Sequence, residues 1–224
     1  MFDLVLFGVF PYVALAVAIA GGLYRYYRDR FTFSSFSSQF LENRALFWGS
    51  VPWHYGILIL LFGHLIGWLL PDGVATFNSV PLRLYILEVT ALGLGLSALF
   101  GIALLLYRRV HYPRVRAAST WMDIVLLVVL LAQVALGVTT AILQRWGSAW
   151  YISNAVPYLN SLLLLNPQIQ YATSLPLVIQ LHILGAFTLL ALYPFTRLVH
   201  ILTVPITYLT RSYQMVIWNR RRSA

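Results

Sequence analysis

The sequence predicts an all-α membrane protein with five transmembrane helices, its N-terminus outside and its C-terminus in the cytoplasm. Hydrophobic residues make up 60% of the 224-residue chain and charged residues 9%. The mean hydropathy is +0.79, which is typical of membrane proteins and not of soluble domains. Five apolar runs each reach the roughly 20 residues that a helix needs to cross a bilayer. The arginines gather in alternate connections, and this distribution gives the orientation.

The apolar runs place the spans near residues 4–24, 46–70, 84–107, 121–144 and 177–203. The first span is expected to be retained, because Asp3 precedes it and its arginines follow it, the reverse of a secretory signal. The second span ends at the turn Pro71-Asp72-Gly73, and Pro81 opens the third.

The fourth span begins near Asp123, where the positive end of the helix dipole favours a carboxylate. Pro194 lies inside the fifth span and should kink it. Residues 145–176, the longest external connection, are predicted to lie along the interface as a short helix. The basic, aromatic tail 204–224 is predicted to dock a partner subunit or to bind headgroups. No connection is long enough for a catalytic domain, so residues 1–224 are expected to form a single transmembrane domain.

Several classes of function are excluded by residue type. The chain has no cysteine, which rules out disulfides, iron–sulfur ligation and covalent c-type haem within it. The phosphate-binding motifs GxGxxG and GxxxxGK[ST] are absent. All basic residues are arginine, and the net charge is +9. This charge does not indicate nucleic-acid binding, because the arginines lie in the cytoplasmic connections; only Arg83 and Arg145 fall at the opposite ends.

The histidines are the main functional signal. His111 sits in an arginine-rich connection and is interpreted as a solvated loop residue. The other four lie within spans, where ionisable residues are rare and costly: His54 and His64 on the second span, His182 and His200 on the fifth. These spans run in opposite directions, so His64 lies level with His182, and His54 with His200. A low-spin b-type haem needs one neutral imidazole from each side.

Helix geometry agrees in part with this pairing. Ten residues leave His54 and His64 about 80° apart around the second span, on one broad face. Eighteen residues are five whole helical turns, so His182 and His200 would lie on the same side of the fifth span, one above the other. At 1.5 Å per residue the two separations are about 15 Å and 27 Å. Helix tilt, the Pro194 kink and side-chain reach must absorb the difference of about 12 Å.

Neighbouring residues allow two interpretations. Glycines near the histidines either leave room for a flat macrocycle or serve ordinary helix packing: Gly56, Gly63, Gly67 and Gly185. Arg197, one turn before His200, either pairs with a haem propionate or anchors the span at the interface.

The sequence resembles the γ, or cytochrome b, subunit of membrane-bound respiratory nitrate reductase. The resemblance covers essentially the whole chain and rests on HYGILILLFGHLIGWL, YPRVRAAST and LHILGAFTLLALYPFTRLVHILTVPITYLTRSYQ. It implies two haem b groups, one on His64 and His182 nearer the outside and one on His54 and His200 nearer the cytoplasm. The arginines near the cytoplasmic pair that are candidates for contact with haem propionates are Arg197, Arg109 and Arg114. The same 10- and 18-residue histidine intervals recur in that family, so the unequal separations of the histidines along the two spans do not argue against the pairing.

The resemblance further implies quinol oxidation near the outer haem, in the cytoplasmic (inner) membrane of a prokaryote. Electrons would pass to an iron–sulfur β subunit and then to a molybdenum α subunit. Members of the family carry a lysine at the outer start of the third span, and this chain has no lysine. Arg83, with Gly63, is the candidate quinol contact in its place. The quinol could be menaquinol or ubiquinol.

Two other functions stay open at this point. A related haem b subunit could deliver electrons to a different reductase, because no residue in the sequence identifies the terminal electron acceptor. A transporter could use the four histidines to bind a metal ion, although acidic residues beside them and broken helices in paired repeats would then be expected, and neither occurs.

Overall fold

A computed structural model describes residues 1–33 and 38–202. The tail predicted to dock a partner, 204–224, lies outside the described residues. The helices are α1 (Phe10–Arg28), α2 (Arg44–Leu69), α3 (Pro71–Asn78), α4 (Pro81–His111), α5 (Pro113–Ala117), α6 (Trp121–Leu143), α7 (Gly147–Trp150), α8 (Val156–Leu163), α9 (Gln170–Thr173) and α10 (Leu177–Leu192). Two π-helical turns occur, at Leu4–Val9 and Tyr151–Ala155. Three 3₁₀ turns occur at Arg30–Thr32, Tyr193–Phe195 and Arg197–Ile201.

Within residues 1–33 and 38–202, five helices are long and apolar enough to cross a membrane, as the sequence predicts. They comprise Leu4–Arg28, Arg44–Leu69, Pro81–His111, Trp121–Leu143 and Leu177–Phe195. The first four agree with the predicted spans to within four residues. The connection 145–176 is helical, but it forms several short pieces instead of one helix.

The spanning helices pack in the order α2, α4, α6, α10 and α1. A core of buried apolar side chains, among them Trp53, Ile102 and Leu130, joins α2, α4 and α6. Glycines allow the backbones of α2 and α4 to approach closely. A Cβ at Gly56 would lie 2.7 Å from Leu94 O, and one at Gly101 would lie 2.6 Å from Gly49 O. Close glycine-mediated crossings are a usual device of membrane helices.

The prediction that the fifth span continues as a kinked helix to residue 203 is wrong. The helix α10 ends at Leu192, and Thr196 is extended with φ −122° and ψ −179°. Pro194 has no amide hydrogen and its ring clashes with the preceding turn, so it ends the helix here. The hydroxyl of Thr196 then accepts a hydrogen bond from Leu198 N and starts a separate 3₁₀ turn. His200 therefore lies on a short independent segment.

The two ends of the bundle differ in chemistry. The arginine end holds residues 29–33, 38–43, 112–120 and 196–202, and the long-loop end holds residues 70–80 and 144–176. At the arginine end, the Arg108 side chain is 2% exposed and its Nε lies 2.7 Å from Glu42 Oε2. Glu42 also accepts hydrogen bonds from Ala45 N and Leu46 N at the start of α2. At the long-loop end, Tyr158 donates to Phe7 O at 2.6 Å.

Candidate functional site

The four histidines of the spans fall into two groups in the fold. At the arginine end, the rings of His54 and His200 face each other with centroids 6.3 Å apart and planes at 75°. Towards the long-loop end, His182 lies close enough to His64 for an electrostatic interaction between the two rings. The α2 helix thus contributes one imidazole to each group, and the chain from α10 onwards contributes the other.

Each of the four rings is held in the same tautomer. A carbonyl oxygen can only accept a hydrogen bond, so the ring nitrogen facing it must donate. Nδ1 therefore carries the hydrogen and Nε2 carries the lone pair that a metal ligand needs. The acceptors are Ser50 O for His54 (2.7 Å), Leu60 O for His64 (2.7 Å), Gln133 O for His182 (3.1 Å) and Arg197 O for His200 (2.6 Å).

The hydrogen bond alone does not mark a ligand. His111 donates from Nδ1 to Tyr107 O at 3.1 Å in the same way, yet it is exposed at the end of α4 and stacks on Tyr107. What distinguishes the four histidines of the spans is their grouping: the rings of His54 and His200 meet across the bundle, and His182 lies within electrostatic range of His64. His54 and His64 are exposed on α2, so neither ring is a packed core residue.

The spacing of His54 and His200 suits a haem iron between them. Two iron–imidazole bonds of about 2 Å, together with the two ring radii, add up to a centroid separation of about 6 Å. The observed 6.3 Å agrees with this sum. The two-ligand arrangement also suits a macrocycle, because a porphyrin supplies the other four donors. These residues therefore fit haem b.

A tyrosine from the long-loop end supports His64. Tyr151 donates from its hydroxyl to His64 O at 3.0 Å, and its ring meets the imidazole edge-on at 5.3 Å. Burial raises the pKa of the Tyr151 hydroxyl, so it remains a donor at neutral pH. A Cβ at Gly67 would lie 3.0 Å from the Tyr151 ring, which shows why α2 carries glycine there.

The helix α6 holds His182. The Gln133 side chain donates from Nε2 to His182 O at 3.0 Å, while Gln133 O accepts from the imidazole. Gly137, one turn further along, faces the ring: a Cβ there would lie 3.0 Å from His182 Cε1. A glycine is therefore needed at this position to leave room for the ring.

Asp123 forms ion pairs with two arginines at the arginine end. Its carboxylate is 5% exposed and takes a bidentate pair from Arg197, with Nε at 2.6 Å and Nη2 at 2.9 Å. Arg109 adds Nη1 at 3.2 Å. As expected for the start of a helix, Asp123 also forms a capping box with Thr120. Two arginines and one aspartate leave one net positive charge beside the turn that carries His200.

The other predicted contacts lie apart from these groups. Arg114 is exposed on α5 and lines a surface cavity of about 350 Å³ with Leu41, Tyr112 and Pro113. Arg83 is exposed at the start of α4, with its guanidinium 5.8 Å from the Phe77 ring centroid.

An apolar cavity of about 290 Å³ lies next to Arg83 at the long-loop end. Its lining consists of Ile66, Leu70, Gly73, Val74, Phe77 and Leu87. Phe77 thus belongs to the cavity and also contacts Arg83. Ile66 is two residues after His64 on α2, so the cavity lies at about the level of that histidine but on a different face of the helix.

Helix packing accounts for three of the four glycines near the histidines. Gly56 packs on α4, Gly67 on Tyr151, and a Cβ at Gly185 would meet Gln133 Oε1. A Cβ at Gly63 would meet no described atom within 4 Å, so Gly63 alone faces open space beside its histidine.

Comparison with known proteins identifies a family. The family model for the nitrate reductase gamma subunit matches residues 3–219. The nitrate reductase gamma chain of Bacillus subtilis (strain 168) is 34% identical over 97% of this chain and 98% of its own length. The respiratory nitrate reductase 1 gamma chain of Escherichia coli (strain K12) is 34% identical over 94% and 95%. A nitrate reductase-like protein NarX of Mycobacterium tuberculosis (strain ATCC 25618 / H37Rv) is 35% identical over 92% of this chain but 32% of its own length.

Proposed function

The chain belongs to the nitrate reductase gamma subunit family, and from this premise we propose that it is a dihaem cytochrome b that oxidises quinol. Family membership makes it a multi-pass membrane subunit of a nitrate reductase complex. The proposal adds the two haem b groups, the quinol, and the delivery of electrons to an iron–sulfur β subunit and a molybdenum α subunit.

One observation carries the proposal: the rings of His54 on α2 and His200 after α10 meet across the bundle, and in all four histidines of the spans Nδ1 faces a carbonyl, which leaves the lone pair on Nε2. The ring centroids of His54 and His200 are 6.3 Å apart, so these two side chains would hold a haem iron between them. His64 and His182 are the second pair. Haem b, when bound, supplies a one-electron redox centre whose potential depends on ligands and burial.

The protein residues hold and orient the ligands. Backbone carbonyls fix the tautomers, Tyr151 supports the backbone at His64, and Gln133 and Gly137 set the position of His182. The net positive charge at Asp123, Arg109 and Arg197 suits the haem propionates at the arginine end.

The apolar cavity beside Ile66 and Phe77 is the proposed site for the quinol, with Arg83 at its edge and Gly63 near His64. An apolar cavity with one polar group at its rim suits an isoprenoid tail and a hydroxylated ring. Oxidation converts quinol to quinone and releases two protons and two electrons.

Direction follows from the arginine distribution. The positive-inside rule places the arginine end in the cytoplasm, facing the β subunit, and the quinol cavity at the outer face. Protons released outside and electrons delivered inside separate charge across the membrane. Each charge moved against 100 mV stores about 2.3 kcal/mol without a proton pump.

Two alternatives are separable from this proposal. A metal-ion transporter would need more protein ligands at one point, because a bare ion takes three or four side chains. Among residues 1–33 and 38–202, no group of three or more His, Cys, Asp or Glu side chains could hold a metal ion. A haem b subunit of another reductase differs only in its acceptor.

The test is a reduced-minus-oxidised visible spectrum of the purified chain, compared among single variants. We expect a b-type α band with two components. His64→Ala should remove one component and stop quinol oxidation, and His200→Ala should remove the other component. The matched control, His111→Ala, should remove neither. Lack of a b-type band, or both components intact in His64→Ala, would refute the proposal. Reoxidation of the copurified complex by nitrate identifies the acceptor.

A further inference from the structure

The turn that carries His200 is not held by a helix. The helix α10 ends eight residues earlier, at Leu192, and Thr196 is extended. Three of the four histidines lie inside helices, where neighbouring turns hold the backbone. His200 lies on Arg197–Ile201, a single 3₁₀ turn with poorer hydrogen-bond geometry than an α-helix. Its position must therefore come from contacts with other elements.

Among the described residues, two side chains contribute such contacts. From α1, Arg25 donates from Nη1 to Pro194 O and Thr196 O, each at 2.8 Å, and so holds the beginning of the segment. From α6, Asp123 holds Arg197 through both of its carboxylate oxygens. Arg197 is the residue whose carbonyl accepts the Nδ1 hydrogen of His200 at 2.6 Å.

We propose that Asp123 is a positioning residue for His200, acting through the side chain and the carbonyl of Arg197. The chain of contacts runs from the carboxylate to the guanidinium, along one residue of backbone, and then to the imidazole. Each link is a strong one: a bidentate charged pair and a hydrogen bond shorter than 3 Å. This inference rests on the proposed function, because it assigns a role relative to a haem ligand.

Capping of α6 alone does not account for the arrangement. A cap needs one oxygen, and Asp123 Oδ2 accepts from Thr120 N at 3.0 Å. Its Oδ1 lies 2.6 Å from Arg197 Nε, which serves no capping purpose. Removing one member of a buried charged pair is strongly destabilising for the groups left behind. Asp123→Asn would leave two arginines facing a neutral amide. The Arg197 guanidinium would then have one carboxamide oxygen to donate to in place of two carboxylate oxygens.

Glu42 gives a matched control. It is also a carboxylate that caps a helix at the arginine end and pairs with an arginine, Arg108. Its partner, however, lies on α4, and within the described part of the chain the hydrogen bonds of Arg108 go to Ser38 and Glu42 and not to the segment of His200. Asp123→Asn and Glu42→Gln therefore make the same chemical change, and only the first one disturbs the positioning contact.

The first measurement is the haem content and redox titration of both variants in the intact complex. Outer-shell partners of metal-bound histidine typically contribute about 10–100-fold to metal affinity, so Asp123→Asn should lower haem retention at His54–His200 by about tenfold or shift its potential. The haem at His64–His182 should stay unchanged, and Glu42→Gln should alter neither. Arg197→Lys keeps the positive charge but cannot form the bidentate pair with Asp123, so we expect an intermediate effect on the haem at His54–His200. Equal effects on both haems, or none, would overturn the inference.

A second measurement does not depend on haem. Hydrogen exchange of the backbone amides of residues 197–201 should speed up in Asp123→Asn and not in Glu42→Gln. Unchanged exchange would overturn the positioning role even in a chain that binds haem. A chain without a b-type spectrum but with faster exchange would refute the proposed function and still support the positioning of the segment.

Discussion

Gly137→Ala tests the geometry of the His64–His182 pair with a single methyl group. The added Cβ would lie 3.0 Å from His182 Cε1, whereas two carbon atoms prefer a separation of about 3.5–4.0 Å. The imidazole must therefore move by about 0.5–1 Å. It cannot move freely, because Gln133 binds His182 through both the imidazole and the backbone carbonyl.

The cost can be worked from the same contacts. A shift of that size lengthens the 3.1 Å bond between Nδ1 and Gln133 O to about 3.5 Å or more, where it is effectively lost. A neutral hydrogen bond contributes about 1 kcal/mol, so haem at His64–His182 should be retained about fivefold less well. Alanine favours a helix over glycine by about 1 kcal/mol, so an effect of helix propensity would have the opposite sign.

The assay is the haem-to-protein ratio from visible absorbance, followed by a redox titration of each component of the α band. Gly93→Ala is the control, because a Cβ at that glycine of α4 would meet no described atom within 4 Å. Only the component assigned to His64–His182 should change, and only in Gly137→Ala. An unchanged component in that variant, or a change confined to His54–His200, would refute the reasoning.

Two further predictions concern the ends of the bundle. Tyr151→Phe keeps the ring against His64 but removes the donor to its carbonyl; we expect a loss of about 1 kcal/mol and a shifted potential at His64–His182 alone. Tyr158→Phe, which also deletes a buried donor, should lower only the unfolding temperature, and equal redox shifts in both variants would contradict the assignment. Glu42 bears on pH: burial alone would raise the pKa of its carboxyl, but backbone amides and Arg108 hold that pKa below its usual 4.5. Its contribution to stability is present above pH 4.5 and is lost as pH falls through the lowered value. Thermal unfolding of Glu42→Gln should therefore approach that of the unchanged protein at acid pH; a constant difference would count against the pairing.

The spans could be predicted from the sequence because length and apolarity alone decide them. Hydropathy gave four of the five to within four residues, and the alternating histidine levels placed His54 beside His200. Asp123 was predicted near the start of the fourth span because the helix dipole favours a carboxylate there, and the structure places it in the first turn of α6. Spans and helix starts depend on residues close together in the chain, and the histidine levels follow from the alternating directions of the spans.

The end of α10 could not be predicted in the same way. A proline inside an apolar run can kink a helix or end it, and the outcome depends on what takes up the released carbonyls. Here Arg25, 169 residues before Pro194, binds the carbonyls of Pro194 and Thr196 in the segment that follows the helix. Tyr151 and Gly137 were missed for a related reason. One is a tyrosine in a connection and the other a glycine in an apolar helix, and only the folded chain shows that each contacts a histidine.

The helix α1 contributes no histidine, yet the fold gives it a role at the His54–His200 pair. It packs against α10 at the edge of the bundle, and a Cβ at Gly21 would lie 2.8 Å from the Pro194 ring. The absence of a side chain at Gly21 lets the broken end of α10 lie against α1, where Arg25 reaches the carbonyls of Pro194 and Thr196. The segment of His200 is thus held from α1 at its beginning and from α6 at Arg197. A histidine on a 3₁₀ turn outside α10 gains from support on two sides, because a single contact would leave the turn able to rotate about it.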